Sequence, residues 1–582
     1  MKTEASFGYL AVPLILLVLS FALTALSQPK KSRPKYLNPK LPIDQRVNDL
    51  LKRMTLEEKI AQLQCEIREV EGKDTITAKG IGGLGIMLRP FSAREAAQKA
   101  NRLQKLVAEK SRLGIPFIMH DEALHGLVGN EATSFPQAIG LAATWNTELM
   151  ERVATVIGKE TRSRGIQQAL SPVINIARDV RWGRVEETYG EDPYLTSRMG
   201  VAFCRGLEKQ GVITTPKHYA ANVGDGGRDS NPIHFSERLL REIYFPAFKA
   251  CFQEANAGSV MAAYNSLNGL PCSASRWLLT DVLRKEWGFT GYVVSDYGSV
   301  GGIMSMHHTA ATKKEAAQQA LAAGLDVELP NIDIYGTPLL QAVKEGLVSE
   351  ATVDKSVKRI LAAKFRLGLF ENAYVDPQHA AALNNSPEHR ALALQAACEA
   401  IVLLKNQNNV LPLNKNIKSI AVIGPNAGAV RLGGYSGWGM KVVTVLEGIK
   451  NKLPSTTVVR YEKGCELGGA PLPPIPAENL MPPDAKPGEH GLRGEYFNNK
   501  DLADKPTLVR IDKQIHFDWG PGSPDSTIHD DHFSVRWTGK LVPAVSGVYK
   551  ISVTTDDGVR LWIDGKLLVD SWYGRGATPD LV

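Results

Sequence analysis

Short apolar runs alternate with stretches of helical period through the first two-thirds of the chain, and this alternation restricts the fold more than any other feature. The runs are 81–87, 115–119, 169–176, 211–214, 259–263, 292–294 and 325–329. Helical patterns cover 93–112, 146–164, 237–255, 313–323 and 353–370. Ahead of the first run, Val47, Leu50, Leu51, Met54 and Ile60 keep helical spacing, and Thr55-Leu56-Glu57-Glu58 has the form of a capping box. A strand buried on both faces is nearly all apolar, and strands that alternate with helices pair in parallel. Seven or eight such units over residues 41–370 fit a (β/α)8-type barrel better than a doubly wound sheet. The fold class expected is therefore α/β.

The texture changes after residue 370. Residues 371–394 read as a linker. Residues 395–470 read as the first part of an α/β sandwich domain, with a helix at 389–399 leading in, strands at 400–404, 420–423 and 456–461, and a helix at 443–453. Pro and Gly mark another linker at 471–490. From 491 to 582 the period is two: Tyr549, Ile551 and Val553 alternate with Lys550 and Ser552, Leu561 and Ile563 follow, and Asp556-Asp557-Gly558 and Asp564-Gly565 supply turns. That is the pattern of an all-β sandwich, here incomplete.

Lys2 precedes an apolar run at 10–26 that ends in Ala25-Leu26-Ser27-Gln28-Pro29. Residues 1–27 read as a signal peptide, followed by a linker at 28–40; the same run kept in place would be a membrane anchor. With the signal removed, the chain is expected to be exported, to the periplasm or outside the cell, without a membrane span. The 582 residues carry 68 basic and 61 acidic side chains, a net charge of +7, and give no nucleic-acid signal. Six cysteines (65, 204, 251, 272, 398, 465) form no C-x-x-C pair, so no zinc or redox site is expected. A bridge such as Cys251–Cys272 stays open in an exported chain.

Polar clusters follow the apolar runs. The second run leads to His120-Asp121-Glu122-Ala123-Leu124-His125-Gly126 and the third to Arg178-Asp179-Val180-Arg181-Trp182-Gly183-Arg184. The fourth leads to Lys217-His218-Tyr219, the fifth reaches Met261 and Tyr264, and the sixth ends Val293-Val294-Ser295-Asp296-Tyr297. In an α/β barrel that rim collects catalytic groups. Acid, arginine, lysine and ring together suit vicinal hydroxyls, and a carboxylate beside a ring suits a cationic sugar carbon. Each residue also has a plainer reading. Asp296 would cap the next helix, Glu122 would pair with a surface arginine, and Arg178, Arg181 and Arg184 would pair with Glu186, Glu187 and Glu191. His125 reads as structural, and Trp182 and Tyr264 as packing. Lys217 and His218 resist such a reading, because burying two basic groups without partners is costly.

Lys217-His218-Tyr219-Ala220-Ala221-Asn222, Val293 to Tyr297, Arg181-Trp182-Gly183-Arg184 with Glu191-Asp192-Pro193, and Val402-Leu403-Leu404-Lys405-Asn406 together resemble glycoside hydrolase family 3, in the family's order. The resemblance implies a retaining exo-β-glycosidase acting on β-linked oligosaccharides without a cofactor or metal. It implies Asp296 as nucleophile, with Glu122, Arg184, Lys217, His218, Met261 and Tyr264 binding the terminal sugar. Lys217 near Asp296 would keep the nucleophile ionised. The residues from Gly491 resemble a protective-antigen-like β-sandwich that interrupts the second domain in some members. In those members the acid/base glutamate follows the insert, so here it is expected beyond Val582 and is not assigned. One branch uses a loop histidine instead, and the context of His234 does not match that branch. Glu122, where many glucosidases of the family have Asp, keeps β-glucoside and β-xyloside both in view. Two other readings stay open: a catalytically silent carbohydrate-binding protein, and an aldolase with Lys217 as a Schiff base.

Overall fold

The computed structural model describes residues 34–68, 70–71, 78–465, 467, 473–520, 522–574, 576 and 578–581. The expected signal peptide and the first residues of the linker behind it lie outside the described residues. Five short strands, β1 (Cys65–Glu66), β2 (Gly83–Gly85), β3 (Ile118–Asp121), β4 (Gln168–Ala169) and β5 (Ile213–Thr214), lie side by side in parallel in chain order. β6 (Ser259–Ala262) pairs in parallel with β7 (Tyr292–Ser295). Single parallel bridges join Tyr219 to Ala262, Val294 to Val327 and Gln64 to Glu328. Pairing therefore passes through eight chain segments and returns to its start.

Helices stand between these segments, and their ends are set by local chemistry. Ile43–Leu51 (α1) precedes Leu56–Ala61 (α2), which opens on the capping box that Thr55 and Glu58 form. Ala93–Lys110 (α3) opens on the same arrangement of Ser92 and Glu95. Thr147–Ser163 (α4) is capped by Asn146, and Pro193–Glu208 (α5) by Asp192 with a proline in its first turn. Pro246–Ala255 (α6), Trp277–Glu286 (α7, wound as a π-helix), Lys313–Ala323 (α8) and Glu350–Arg366 (α9) complete the set. The helices turn Phe203 and Phe248 inward, against Phe117 and Tyr292 of the strand segments, and all four are fully buried. Tyr219 packs among Phe245, Phe248 and Trp287.

Several expectations need correction. β1 was not among the expected runs, so every later cluster follows a strand one place further along the sheet. The run 169–176 is a continuous strand only at its start, Gln168–Ala169; past Pro172, which has no N–H to donate, pairing resumes as a single parallel bridge of Val173 to Lys217. The stretch 371–394 is not an open linker: it holds the helix Pro377–Leu383 and the start of α10 (Pro387–Ala400). Residues 400–404 have no strand partner among the described residues, and Ile401 to Leu404 are exposed. All six cysteines are free thiols. Cys272 rests against the Ala220 carbonyl at 3.8 Å and Cys251 neighbours Cys204, so the Cys251–Cys272 bridge is not formed.

The chain divides into two compact units. One comprises 1–415 and 430–443, the other 416–429 and 444–582, so 395–470 is shared between them. Within the second unit, β8 (Ser419–Ile423) and β9 (Val458–Glu462) pair in parallel, linked in sequence through the helix Val445–Lys452. β10 (Leu492–Phe497) lies between the antiparallel strands β11 (Leu508–Asp512) and β12 (Ser534–Thr538). Asp512 organises that sheet by accepting from Tyr496, Trp537 and Arg510 at 2.6–2.7 Å. Asp556-Asp557 lies in the bend between Ser552–Thr555 and Val559–Ile563. Tyr549 and Ile551, expected on a strand, lie before that first strand.

Candidate active site

The polar clusters lie where parallel strands end. Asp121 closes β3 and Glu122 follows; Lys217 and His218 come just past β5; Met261 is in β6 with Tyr264 after it; Ser295 closes β7 and Asp296 follows. Asp296 does not cap a helix. The helix Ser299–Ser305 has Gly298 at its N-cap, in the left-handed region at φ +77°. The Asp296 carboxylate is buried, with Oδ1 accepting from the Tyr297 N–H at 2.8 Å. Oδ2 has no donor within hydrogen-bond geometry among the described residues, although the Tyr264 hydroxyl lies near enough to favour the carboxylate. Burial raises this carboxyl to about 6, against the pull of the Lys217 and Arg184 charges.

His218 explains the orphaned oxygen. Its Nδ1 faces Asn175 Oδ1 at 2.9 Å, and the same Oδ1 accepts from the His218 backbone N–H at 2.7 Å. A carboxamide oxygen only accepts, so Nδ1 carries the proton. Nε2 then offers a lone pair, which meets Arg184 Nη2 at 3.1 Å. Burial and the charges of Arg184 and Lys217 hold the imidazole well below its usual range, so it is neutral. The 3.6 Å approach of Nε2 to Asp296 Oδ2 is therefore lone pair against lone pair rather than an ion pair. Arg184 is fixed in a fork on Glu187 at 2.9 and 2.8 Å, and reaches Asp229 at 3.3 Å. Asp229 also accepts from Trp182 Nε1 at 3.0 Å and Asn222 at 2.8 Å.

Lys217 sits opposite. Its ammonium contacts both oxygens of Glu122 at 2.8 Å, and both side chains are buried. Burial raises the Asp296 carboxyl, and the Lys217 charge, shared with Glu122, draws it back down, the direction expected of a cation near the nucleophile. An ammonium locked to a carboxylate also has no free lone pair, which argues against a Schiff-base lysine. The Tyr435 ring lies 5.1 Å from the Lys217 ammonium. Behind Glu122, Asp121 Oδ1 accepts from its backbone N–H at 2.8 Å and from Arg89 Nε at 2.7 Å. His120, driven down to about 3 by burial, meets the Tyr297 hydroxyl at 2.9 Å. The Tyr264 hydroxyl donates to the Tyr297 carbonyl at 2.9 Å. Met261 is buried in β6.

Asp296, Lys217, His218, Glu122 and Arg184 thus lie together, and the Tyr264 phenol is raised by burial and then by the charge of Asp296 close to it. Arg178 and Arg181 stay on the exposed side, with Arg181 forked on Asp179. His125 is structural in its contacts: Nδ1 meets the Phe135 carbonyl at 2.8 Å. His234 is exposed. Sequence reasoning missed Asn175, Asp229, Arg89 and Tyr435. Tyr435 alone left a trace, in the turn signal Gly433-Gly434. No group of three or more metal-binding side chains occurs among the described residues.

Two stretches of the chain match families of known proteins. Residues 55–363, more than half of the chain, match the glycosyl hydrolase family 3 N terminal domain, and residues 488–580 match the PA14 domain. A beta-xylosidase of Formosa agariphila is 42% identical over 61% of this chain and 53% of its own length. A periplasmic beta-glucosidase of Salmonella typhimurium is 35% identical over 72% of this chain and 56% of its own. A solved β-glucosidase of Erythrobacter marinus superposes with a TM-score of 0.72 at 38% identity, covering 75% of this chain and 60% of that one. The chain spans about half the length of the curated relatives it matches. From the catalytic-type cluster at the strand ends to the match over its barrel-patterned half, the chain belongs to glycosyl hydrolase family 3.

Proposed function

We propose that the protein is a retaining exo-β-glycosidase, exported from the cell, that removes terminal β-D-glucosyl or β-D-xylosyl residues from oligosaccharides. The observation that carries the reading is Asp296: a buried carboxylate with one oxygen that no donor among the described residues reaches in hydrogen-bond geometry, facing a neutral histidine and flanked by two cations. Such an oxygen is costly unless the site uses it. The circuit of parallel segments supports a (β/α)8-type barrel with Asp296 on its rim, and the 2-residue spacing beyond 491 supports the β-sandwich. The apolar run at 10–26 and the periplasmic relative support export.

In the proposed reaction Asp296 Oδ2 attacks the anomeric carbon as the bond to the leaving oxygen breaks, giving a glycosyl-Asp296 ester. A carboxylic acid gives the leaving oxygen its proton, and the same group then takes a proton from the water that cleaves the ester. The nearby carboxylates are committed elsewhere: Glu122 to Lys217, Glu187 and Asp229 to Arg184. None of them is assigned the acid role. Lys217, Glu122, Arg184 and His218 present donors and acceptors suited to vicinal sugar hydroxyls. Glu122 reaches further than Asp would, and so favours the smaller pentoside.

Intact mass after incubation with 2-deoxy-2-fluoro β-glucosyl and β-xylosyl dinitrophenolates tests this directly. These donors depart without an acid. A single glycosyl adduct mapped to Asp296 is expected, faster from the xylosyl donor. A folded protein that takes up neither donor, or is labelled elsewhere, would sink the reading.

A further inference from the structure

His125 lies between two carbonyl groups. Nδ1 meets the Phe135 carbonyl at 2.8 Å, and Nε2 meets the Gly434 carbonyl at 3.2 Å. Carbonyl oxygens only accept, and a neutral imidazole has one N–H. The neutral ring therefore satisfies one contact and sets a lone pair against the other. Only the imidazolium donates to both. The Ser436 hydroxyl, 3.3 Å from Nε2, also has two choices. Beside the imidazolium it donates to the Gly433 carbonyl at 2.9 Å; beside the neutral ring it can turn to Nε2 and leave Gly433 without its donor.

The turn that His125 holds carries Tyr435. Gln137 Nε2 donates to the Leu432 and Gly434 carbonyls at 2.7 and 3.0 Å, and Glu186 accepts from the Gly434 N–H at 2.9 Å. The Glu131 N–H donates to the Trp438 carbonyl at 2.7 Å. Tyr435 takes a left-handed φ of +52°, so its ring direction depends on this framework. That ring faces Lys217, and its phenol is raised by burial and by the charge of Glu122.

We propose that His125 is a positioning residue for Tyr435: held between the Phe135 and Gly434 carbonyls, it ties the Leu432–Trp438 turn to the Phe135 loop and seats the tyrosine ring as a wall of the sugar site. Resting on the glycosidase reading, the inference adds that sugar affinity depends on His125 through that ring.

Two measurements test it. Inactivation by the fluoroxylosyl donor is resolved into a binding constant and a rate constant. In His125→Gln the binding constant should weaken roughly tenfold, the loss of a hydrogen bond that anchors the turn, with the rate constant nearly unmoved. His125→Gln should weaken binding in the wild-type background and add less than about twofold in the Tyr435→Ala background, the signature of a residue acting through its partner. Effects that multiply independently, or a binding constant unchanged in His125→Gln, overturn the proposal. Amide hydrogen exchange of the Leu432–Trp438 turn reads the same contact without activity. It should be faster in His125→Gln than in the wild type. If the turn shows this and no donor labels Asp296, the glycosidase reading fails and the positioning role stands. Unchanged exchange removes the positioning role even where labelling succeeds.

Discussion

Burial lifts the Asp296 carboxyl to about 6, although Lys217 and Arg184 both pull it down. Raised in the folded state, this acid favours folding while protonated, so its contribution is fully present below the unfolded value of about 4 and is lost as pH rises through about 6. Asp296→Asn should therefore abolish labelling yet stabilise the protein by about 2–3 kcal/mol above neutrality, with no gain below about pH 4. Thermal melts across pH check this, and equal melts at high pH would refute it. Glu122→Gln should release the Lys217 charge to act on Asp296, moving the pH midpoint of inactivation to lower pH. An unmoved midpoint would mean that the shared charge is not what leaves Lys217 weak. Asp296, Lys217, His218, Glu122 and Arg184 were legible in the sequence because each ionisable group ends or follows an apolar run, where burial demands a partner. Asn175 and Asp229 were not, because a lone amide or acid in a loop carries no spacing signal. The tautomer of His218, which leaves Asp296 Oδ2 without a donor, exists only through Asn175.

The elements are short where they pair and long where they cover. Strands of two to four residues suffice because the neighbouring segments close against them. Gly291 shows how tightly: a Cβ there would come within 2.2 Å of the Gly258 carbonyl oxygen, at the entry to β7. Gly291→Ala should displace the strand that presents Asp296, costing about 2 kcal/mol or more and slowing labelling with it. A urea midpoint equal to wild type would show that the backbone yields. α10 is held by a buried carboxylate. Glu160 accepts from the Thr133 N–H and hydroxyl at 2.9 and 2.6 Å, from the Asn385 N–H at 2.9 Å and from His389 at 2.7 Å. Glu160→Ala strands these donors, and a loss of about 3 kcal/mol is expected, with faster proteolysis around Asn385. Unaltered proteolysis would detach α10 from this carboxylate. None of this was visible beforehand, because the turn residues Asn384-Asn385-Ser386-Pro387 read as linker when their buried partner lies on α4. Helices α3, α4 and α8 were legible, since apolar period and capping side chains coincide there. α7 was missed: its Trp277, Leu278, Leu279, Val282 and Leu283 follow the wider π winding.

At the scale of the molecule, the two compact units differ in how much they bury. The first holds a continuous core from Tyr36 to Ala396, whereas buried apolar residues in the second are few, among them Val422, Leu480, Tyr496, Phe497 and Val569. Calorimetry should resolve more than one transition, the lower one assigned to the second unit by hydrogen exchange. A single cooperative transition would show that the units unfold together. The α/β class was legible because strand–helix alternation survives single-residue noise; the division of 395–470 was not, because it depends on which distant segment a chain folds against. The circuit of pairing that returns from Glu328 to Gln64 also bears on how the protein behaves when crowded. A ring of strands has no free border, so it gives another polypeptide no row of unpaired amides to extend. Among the described residues the pair β8 and β9 has two such borders, with Ile423 and Val458 exposed beside them. Self-association of this chain at high concentration should accordingly grow outward from residues 419–423 and 458–462, and leave the ring of parallel segments untouched.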